Sequence, residues 1–361
     1  MSRNIQCPVK LIATVFLLFM LKAVQAQKLS VAVAGLSHDH AHTIMNQYKA
    51  GLVHIVGIAE PVQSLRQRYQ KAYQLPEAIF YESLDQMLGS TKPDAVLAFN
   101  AISEHLAVVE ACAPKGIAVM VEKPLAANLE QAGKMEALKE KYDIEILVNY
   151  ETTWYPSNHQ LYKLVQQGAV GAVRKMVVHD GHQGPVEIGC SPDFLSWLTD
   201  PVKNGGGAIT DFGCYGANLM TWLMNGQEPV AVSAITKTIK PAVYPRVDDD
   251  ATILLEYPEA TGIIEASWNW PFSIKDWEVF GVKGYLHALN GTTLKVRDQQ
   301  PLKQIDIPAA PYKNNLEYLA AVLQQKAMAQ NDPSSFEVNM IVMKILDAAK
   351  KSAKSGKKIL L

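Results

Sequence analysis

The strongest constraint on the fold is a regular alternation of β-forming and helix-forming segments in the first part of the chain. Apolar, β-rich runs occupy residues 29–34, 54–59, 95–100, 116–122 and 145–149. Helix-favouring stretches lie between them, at residues 41–49, 104–113 and 128–142. A β-α-β series of this kind predicts a parallel, doubly wound α/β sheet of the Rossmann type.

Beyond residue 149 the β-rich runs become longer and the helices fewer. The runs lie at residues 173–180, 230–239, 251–257, 262–270, 277–281 and 293–296. Successive strands without helical crossovers are typical of an antiparallel sheet. We therefore expect a dinucleotide-binding domain over residues 27–149 and an α+β substrate and oligomerisation domain with a large, mostly antiparallel sheet over residues 150–312. C-terminal helices within residues 313–361 are expected to pack back toward the first domain.

The N-terminus has the pattern of a secretory signal peptide. Arg3 and Lys10 precede an uncharged apolar run over residues 11–21, and small residues up to Ala26 supply a cleavage site. The run is shorter than the about 20 residues that a membrane-spanning helix needs. We therefore expect removal of residues 1–26, no stable membrane span, and a periplasmic or secreted mature protein.

The charge balance bears on the partners of the chain. The sequence has 34 Lys and Arg residues against 35 Asp and Glu residues, a formal net charge of −1. Binding to a phosphate backbone requires a cationic surface, so this balance argues against nucleic acid. A small molecule is the expected ligand.

The turn after the first β-rich run carries candidate cofactor-binding residues. Gly35, Ser37 and His38 lie there, before a helix whose free N–H groups can bind phosphate. Glu60 falls 25 residues after Gly35, where a dinucleotide fold places its ribose-binding acid, which favours NAD over NADP. Of the Gly-x-Gly-x-x-Gly fingerprint, the turn keeps only the first glycine.

Three alternating histidines in this turn raise the question of a metal site. His38, His40 and His42 carry imidazoles, which are good zinc ligands. Alternate residues converge on a strand but not where a chain turns into a helix. The sequence therefore favours phosphate contact or capping, and we expect no metal.

Polar residues also follow later strands of the predicted sheet. Asn100 ends the third run, and Glu122 and Lys123 end the fourth. Ligands bind at this carboxyl edge in open α/β sheets, so we expect all three to bind the cofactor. His105, five residues past Asn100, either faces the same cleft or has a packing or capping role.

The second domain contains another candidate cluster. Three consecutive glycines from Gly205 allow close approach of the backbone to a ligand. Asp211 and Tyr215 are four residues apart, which on a helix places both on one face; the alternative is a helix cap and an ordinary half-buried aromatic. For the substrate, His182 lies in a glycine-containing segment, and Trp154 offers a face for a sugar ring, although tryptophan is more often a core residue.

Together, Glu122-Lys123-Pro124 and the Gly-Gly-Gly-Ala-x-x-Asp-x-Gly segment from Gly205 resemble the Gfo/Idh/MocA family of nicotinamide-dependent sugar and polyol oxidoreductases. The resemblance implies that Lys123 lies beside the nicotinamide and the substrate hydroxyl, that Asp211 binds substrate, and that position 215 holds the acid/base. It also implies a homodimer or tetramer.

Position 215 distinguishes branches of that family. Many members have histidine there and an acid three positions later, whereas this chain has Tyr215 and Asn218. The difference resembles the branch with glucose-fructose oxidoreductase, xylose dehydrogenase and dihydrodiol dehydrogenase, in which tyrosine is the proposed proton-transfer residue.

These residues fit the oxidation of an alcohol, which needs a hydride acceptor, a base and a charge partner for the base. Tyr215 would transfer the proton, and Lys123 would polarise the oxygen and favour ionised tyrosine. We expect an exported oxidoreductase acting on a secondary hydroxyl or ketone of a sugar, polyol or glycoside, with NAD, or alternatively NADP, tightly bound. Two alternatives stay open: an NAD-dependent glycosidase that uses transient oxidation and elimination, and a non-catalytic sugar- or cofactor-binding protein.

Overall fold

The computed structural model describes residues 28–298, 300–325 and 331–361. The expected signal peptide, residues 1–26, lies outside the described residues. Within them, no helix is long and apolar enough to cross a membrane.

The first half of the chain forms a six-stranded parallel sheet, as predicted. Its strand order is β3-β2-β1-β4-β5-β6, with helices on both faces. Because both faces are covered, the central strands are almost entirely apolar and buried. The strands are β1 Ser30–Ala34, β2 His54–Ala59, β3 Phe80–Tyr81, β4 Ala95–Ala98, β5 Ala118–Glu122 and β6 Ile146–Asn149, and the helices are α1 Ala41–Lys49, α2 Gln63–Tyr73, α3 Leu84–Ser90, α4 His105–Cys112 and α5 Leu129–Tyr142.

The second half contains a nine-stranded sheet, which confirms the predicted mostly antiparallel architecture. Its order is β14-β13-β12-β11-β7-β10-β9-β8-β15, and the β7–β10 pair is parallel. Strand β11 begins three residues earlier than predicted, and the sequence pattern did not indicate β12. The strands are β7 Val173–Gly181, β8 Ala231–Lys237, β9 Asp250–Glu256, β10 Thr261–Ser267, β11 Ile274–Gly281, β12 Tyr285–Asn290, β13 Thr293–Arg297, β14 Lys303–Ile305 and β15 Ile359–Leu360.

Helices cover one face of this second sheet, which we call its inner face. Helix α9 packs there against β7 and β10, and every one of its residues is buried. Helix α11 contacts α9 and β8 on one side and α5 on the other, so it joins the two halves of the molecule. The helices are α6 Pro156–Gln166, α7 Pro192–Leu198, α8 Ala208–Asp211, α9 Gly213–Leu223, α10 Asn315–Leu323 and α11 Phe336–Ser355, with short 3-10 turns at Glu77–Ile79, Ile102–Glu104, Ala113–Lys115 and Glu151–Trp154.

Candidate active site

A buried ion pair joins the two halves of the molecule at the carboxyl edge of the first sheet. Lys123, directly after β5, pairs with the carboxylate of Asp211 at the end of α8 and also donates to its backbone oxygen, at 3.1 Å. Trp268 Nε1 donates to the other Asp211 carboxylate oxygen, at 3.0 Å. Burial disfavours both charges, but their mutual attraction outweighs it, so the pKa of Lys123 is raised and that of Asp211 is lowered. Both groups are therefore charged at neutral pH.

Close backbone contacts around the glycine segment position Asp211 near the end of β5. A Cβ atom on Gly205 would overlap the carbonyl oxygen of Ala127, and one on Gly207 would overlap that of Asp248. The Asp248 carboxylate accepts the N–H groups of Gly207 and Ile209, at 2.8 and 2.7 Å, at the start of α8. The glycines thus serve a close approach of backbone to backbone, which brings α8 to the end of β5.

Tyr215 reaches the same site from a different helix. The predicted single helical face is wrong, because α8 ends at Asp211 and α9 begins at Gly213. The Tyr215 ring is 1% exposed, and its centroid lies 5.1 Å from Lys123 Nζ. Burial raises the pKa of Tyr215 well above its usual value, and nearby carboxylates raise it further. The expected ionisation by Lys123 is therefore not seen in this arrangement, since Asp211 already balances that lysine.

Three further charged residues lie near Lys123, Asp211 and Tyr215 and were missed by sequence reasoning. They are Lys275, Glu151 and Asp180, and we call the whole group the charged cluster. Lys275 on β11 lies with its Nζ 4.5 Å from the centroid of the Tyr215 ring and 2.5 Å from a carboxylate oxygen of Glu151. Asp180, near the end of β7, is the cross-strand partner of Lys275. Lys275 was missed because β11 begins earlier than predicted. Once the strand includes Lys275, strand alternation places it on the same inner face as Trp277. A lysine in register with core residues would have been the clue.

The other two predicted substrate residues, His182 and Trp154, lie in different surroundings. His182 accepts the Gly184 N–H at Nδ1, at 2.9 Å, and its ring packs edge-on against Phe212 at 4.9 Å. Burial lowers the pKa of His182, and Asp211 is among its charged neighbours. Trp154 instead donates to Asn149, at 3.1 Å, and lines a separate cavity of about 560 Å³. The structure therefore brings His182, and not Trp154, to the Asp211 side of the cluster.

A cleft of about 490 Å³ lies over the carboxyl ends of β1, β2 and β4, lined in part by Gly35, Ser37, Glu60 and Asn100. Gly35 has a φ of +78°, and a Cβ there would come within 2.5 Å of Asn100 Cβ, so only glycine fits. The buried Asn100 Oδ1 has no hydrogen-bond partner among the described residues. A glycine turn and a free amide oxygen in one cleft fit a dinucleotide.

Glu60 occupies the predicted position at this cleft but already bonds to backbone. Its two oxygens accept the N–H groups of Leu36 and Val62, at 2.8 and 2.9 Å, and burial raises its pKa. Arg66 donates to the Glu60 backbone oxygen at 2.5 Å. Each carboxylate oxygen has a second lone pair, so Glu60 can still accept a ribose hydroxyl.

The remaining predicted cofactor residues do not line this cleft. Glu122 lies 2.8 Å from His40 Nδ1 and accepts from Asn149 at 2.7 Å. His105 is fully buried beside Leu125, with Nδ1 3.1 Å from its backbone oxygen, and burial lowers its pKa to about 4. His38 packs against Phe194 and Trp197.

The expectation that alternate histidines diverge is wrong for one pair. His38 and His40 precede α1, and their ligand atoms lie within 4.8 Å of one another and of Glu122. His38 Nδ1 accepts the His40 backbone N–H at 3.1 Å, so the neutral imidazole carries its proton on Nε2 and keeps no lone pair for a metal. His42 lies apart, stacked on Tyr69 at 5.0 Å. Hydrogen bonds account for this cluster.

Helix α7 covers the glycine turn from the second half of the chain. Trp197 Nε1 donates to the Ser37 backbone oxygen at 3.4 Å, and the Ser191 N–H donates to Asp39 at 2.9 Å. Arg68 on α2 pairs with Asp193 on α7 at 2.6 Å. Both domains therefore contribute walls to the dinucleotide cleft.

Two protein families match successive parts of the chain. Residues 29–150 match the oxidoreductase family with an NAD-binding Rossmann fold, and residues 158–287 match the GFO/IDH/MocA C-terminal domain. Trans-1,2-dihydrobenzene-1,2-diol dehydrogenase from Bos taurus is 26% identical over 297 residues, which cover 80% of this chain and 82% of the relative. D-xylose 1-dehydrogenase [NADP(+)] from Haloarcula marismortui is 27% identical over 181 residues, 50% of this chain and about half (49%) of that relative.

Solved structures share the fold over nearly the whole chain. Aldose-aldose oxidoreductase from Caulobacter crescentus, complexed with glycerol, superposes with a TM-score of 0.77 at 24% identity, covering 93% of this chain and 100% of that one. An inositol dehydrogenase homolog from Azotobacter vinelandii, complexed with NAD+, gives 0.79 at 16% identity, covering 93% and 98%. The two-sheet architecture is thus a shared one.

Proposed function

This chain belongs to the Gfo/Idh/MocA oxidoreductase family, and we propose that it transfers hydride between a nicotinamide cofactor and a secondary hydroxyl or ketone of a sugar, polyol or glycoside. One observation carries the proposal: a buried lysine–aspartate pair and a buried tyrosine lie together at the end of β5. The neighbouring strand end, at Asn100, lines the dinucleotide cleft.

The cleft residues fit the cofactor. Gly35 and Ser37 would contact the phosphates through backbone and hydroxyl groups, Glu60 would accept from the adenosine ribose, and Asn100 would bond nearer the nicotinamide. When bound, the cofactor supplies the hydride acceptor. Glu60 favours NAD, and we propose that the contacts of α7 with the glycine turn keep the cofactor tightly bound.

The chain's own residues would handle the proton and the charge. Lys123, kept cationic by Asp211, polarises the substrate oxygen, and Tyr215 exchanges a proton at its Oη with that oxygen. Burial of all three side chains excludes water from the reacting groups. Because Tyr215 is neutral at rest, it is already protonated for the reduction of a ketone.

Relatives bear on the substrate. Their names describe dehydrogenases of a cyclic 1,2-diol and of D-xylose, both of which carry hydroxyl groups. We therefore propose a hydroxylated ring as substrate, with His182 as a hydrogen-bonding partner beside Asp211.

The signal-peptide pattern at the N-terminus supports export, and we propose that the mature protein acts outside the cytoplasm with a cofactor that is regenerated in place. Fractionation of cells and N-terminal sequencing of the mature protein test this location. Recovery of the uncleaved chain in the cytoplasm would contradict it.

Assembly into a homodimer or tetramer is a further part of this proposal. The outer face of the nine-stranded sheet exposes Ile235 (66%), Leu254 (45%) and Phe280 (37%), an apolar surface suited to a second copy. Native mass spectrometry measures the assembly directly, and a monomer at working concentrations would contradict it.

The decisive experiment replaces Tyr215→Phe. Removal of one hydroxyl from a proton-transfer residue is expected to lower kcat by about 10²- to 10⁴-fold. Cofactor affinity should be unchanged, because Tyr215 does not line the cleft. Stopped-flow absorbance of the reduced nicotinamide and a fluorescence titration of the cofactor measure the two effects. Full turnover by the variant would overturn the proposed role.

Native mass spectrometry and absorbance of the purified protein test the whole assignment. Bound NAD that is reduced by a sugar and reoxidised by a keto sugar supports a self-contained oxidoreductase. Release of an aglycone without net redox change would replace the proposal with the NAD-dependent glycosidase. Failure to bind NAD or NADP would replace it with a binding protein.

A further inference from the structure

The proposed oxidation needs a group that can store a proton. Tyr215 is a buried, neutral phenol, so it must release its own proton when it takes one from the substrate hydroxyl. Solvent cannot readily receive that proton, since the ring is 1% exposed. The acceptor must therefore be another side chain of the cluster.

Most of the neighbouring groups are unsuitable. Asp211 and Glu151 each accept from a lysine, and although burial opposes their charge, both have a lowered pKa and hold a proton poorly. Lys123 and Lys275 have raised pKa values and stay protonated.

Two weaker candidates remain, Cys214 next to Tyr215 in sequence and His182 against Phe212. Burial raises the pKa of the Cys214 thiol to about 12, so the thiol is itself protonated. Burial lowers the pKa of the neutral His182 ring, which makes it a poor base. Neither residue can therefore take up a proton from Tyr215 near neutral pH.

Asp180 differs from all of these in its contacts. Its side chain is 1% exposed on the inner face, in the cross-strand row that also contains Ala266 on β10 and Lys275 on β11. No ion pair fixes its carboxyl group, and the buried Oδ1 accepts no hydrogen bond among the described residues. The carboxyl group is thus close to a cation but not paired with it.

A small cavity of about 10 Å³ lies beside this carboxyl group. Its lining includes Asp180, Tyr155, Asn158 and Thr152, and the buried Thr152 hydroxyl also has no partner within the described ranges. The space is near the minimum for one water molecule with polar neighbours. Both the protonated and the ionised carboxyl group can therefore find a hydrogen-bonding partner there.

The charges of the cluster balance only when Asp180 is neutral. Lys123 and Lys275 oppose Asp211 and Glu151 one for one, so an ionised Asp180 adds an uncompensated negative charge. Burial raises its pKa to about 8, despite the opposing effect of Lys275 and Lys123. The titratable groups that act on Asp180, or on which it acts, are Lys275 on β11, Lys123 after β5, Glu151 and Tyr155 before α6, Asp211 on α8, and Cys214 and Tyr215 on α9.

We propose that Asp180 is the proton store of this active site, receiving the proton that Tyr215 releases during alcohol oxidation and returning it during ketone reduction. Lys275 is a neighbour of both: its ammonium group lies 4.5 Å from the centroid of the Tyr215 ring, and its backbone pairs with that of Asp180. Asp180 is a positioning residue in this scheme, because it acts through Tyr215. The inference rests on the proposed function.

Alcohol oxidation then involves two coupled proton transfers and one hydride transfer. The substrate O–H bond breaks as a new O–H bond forms on Tyr215, whose original O–H bond breaks as one forms on Asp180. The electron pair of the substrate C–H bond leaves as hydride, for which the nicotinamide of the proposed function is the acceptor. The stored proton is then available to a second, ketone substrate without exchange with solvent.

The test is Asp180→Asn, which keeps the shape of the side chain but cannot take up a proton. Wild-type oxidation should rise with pH through about 8, since it needs the carboxylate, and reduction should fall through the same range. In the variant both pH dependences should disappear and oxidation should slow at least about tenfold. Asp276→Asn is the matched control, because Asp276 lies on the next strand, on the outer face between two histidines. An unchanged pH profile in Asp180→Asn would overturn the inference.

A second readout is independent of turnover. A carboxyl group with a raised pKa stabilises the fold fully below its unfolded pKa, and that contribution is lost as pH rises through about 8. The stability of Asp180→Asn relative to wild type should therefore increase between about pH 4 and about pH 8. A pH-independent difference would contradict the raised pKa.

Lys275→Gln keeps the inference testable if Asp180→Asn fails to fold. Loss of the cation should move the pH midpoint of oxidation upward, because Lys275 lowers the pKa of Asp180. An unmoved midpoint would overturn the proton store. If Tyr215→Phe is fully active the proposed function fails, whereas an inactive Tyr215→Phe with a normal Asp180→Asn refutes only the proton store.

Discussion

The dinucleotide cleft and the charged cluster lie at the same edge of the first sheet, but the cleft is formed mainly by backbone groups and the cluster by side chains. The cleft depends on backbone: a glycine with positive φ, the turn before α1, and N–H groups bonded to Glu60. The cluster depends on side chains from both halves of the chain, with Lys123 from the first and Asp211, Tyr215 and Lys275 from the second.

This difference explains which sequence features each region can lose. A turn that binds through N–H groups tolerates the change from a Gly-x-Gly-x-x-Gly pattern to a single retained glycine, because most side chains can supply the same backbone. A buried charge tolerates no such change, since its partner would be left uncompensated. Substitutions in the cluster should therefore have larger effects than substitutions in the cleft.

The largest effect is expected from Lys123→Met. Among the described residues it leaves the buried Asp211 carboxylate with Trp268 as its single side-chain donor, which should cost about 3–5 kcal/mol of the free energy of unfolding and abolish turnover. Urea denaturation followed by tryptophan fluorescence measures the loss. Lys134→Met is the matched control, because Lys134 pairs with Glu130 on the exposed surface of α5. Equal stability of the two variants would show that the buried pair is not the distinctive part of the cluster.

An intermediate effect is expected in the cleft from Gly35→Ala. The new methyl group would collide with Asn100, and the positive φ adds strain, at a cost of about 1–3 kcal/mol. Cofactor affinity should fall by at least about tenfold, which corresponds to about 1.4 kcal/mol. Calorimetric titration with NAD measures it.

A matched control for that change is Gly133→Ala on α5, where a Cβ would meet no atom within 4 Å. Alanine in a helix interior is favoured over glycine by about 0.5–1 kcal/mol, so this variant should be slightly more stable than wild type. Normal cofactor binding by Gly35→Ala would show that the turn is more adaptable than its geometry indicates.

The smallest effect is expected from Arg68→Gln at the mouth of the cleft. The pair between Arg68 and Asp193 connects α2 to α7, but both side chains are at least one-third exposed, so its loss should cost about 0–1 kcal/mol. The rate of cofactor release should rise less than about fivefold, given that small energy. A much faster release, measured by displacement in stopped flow, would mean that this one pair controls the position of α7.

Local sequence patterns predicted the features of the fold that depend on residues close together in the chain. The alternation of strands and helices fixes where strands end, so the placement of Gly35, Asn100 and Lys123 at one sheet edge could be read from the chain. The break between α8 and α9 at Phe212 was missed, although Gly213, directly after it, is a poor helix former.

What the sequence did not reveal depends on register between distant strands. Asp180 stood at the end of a predicted strand, but its position beside Lys275 comes from the register of β7 against β11, and the two residues are 95 positions apart in the chain. Likewise, His38 and His40 converge because the turn folds under α7, and no local periodicity encodes that contact.

The close approach of Gly205 and Gly207 to carbonyl oxygens has a consequence for how this architecture can be recombined. Neither half of the molecule contains a working set of polar groups, since the lysine and its carboxylate partner come from opposite sides of that contact. A chimera that joins one Rossmann half to an unrelated second half would have to recreate this close glycine–backbone contact before it could be active. The two halves are therefore difficult to exchange between proteins. New substrate specificities are most accessible by stepwise substitutions that leave this contact between the halves intact.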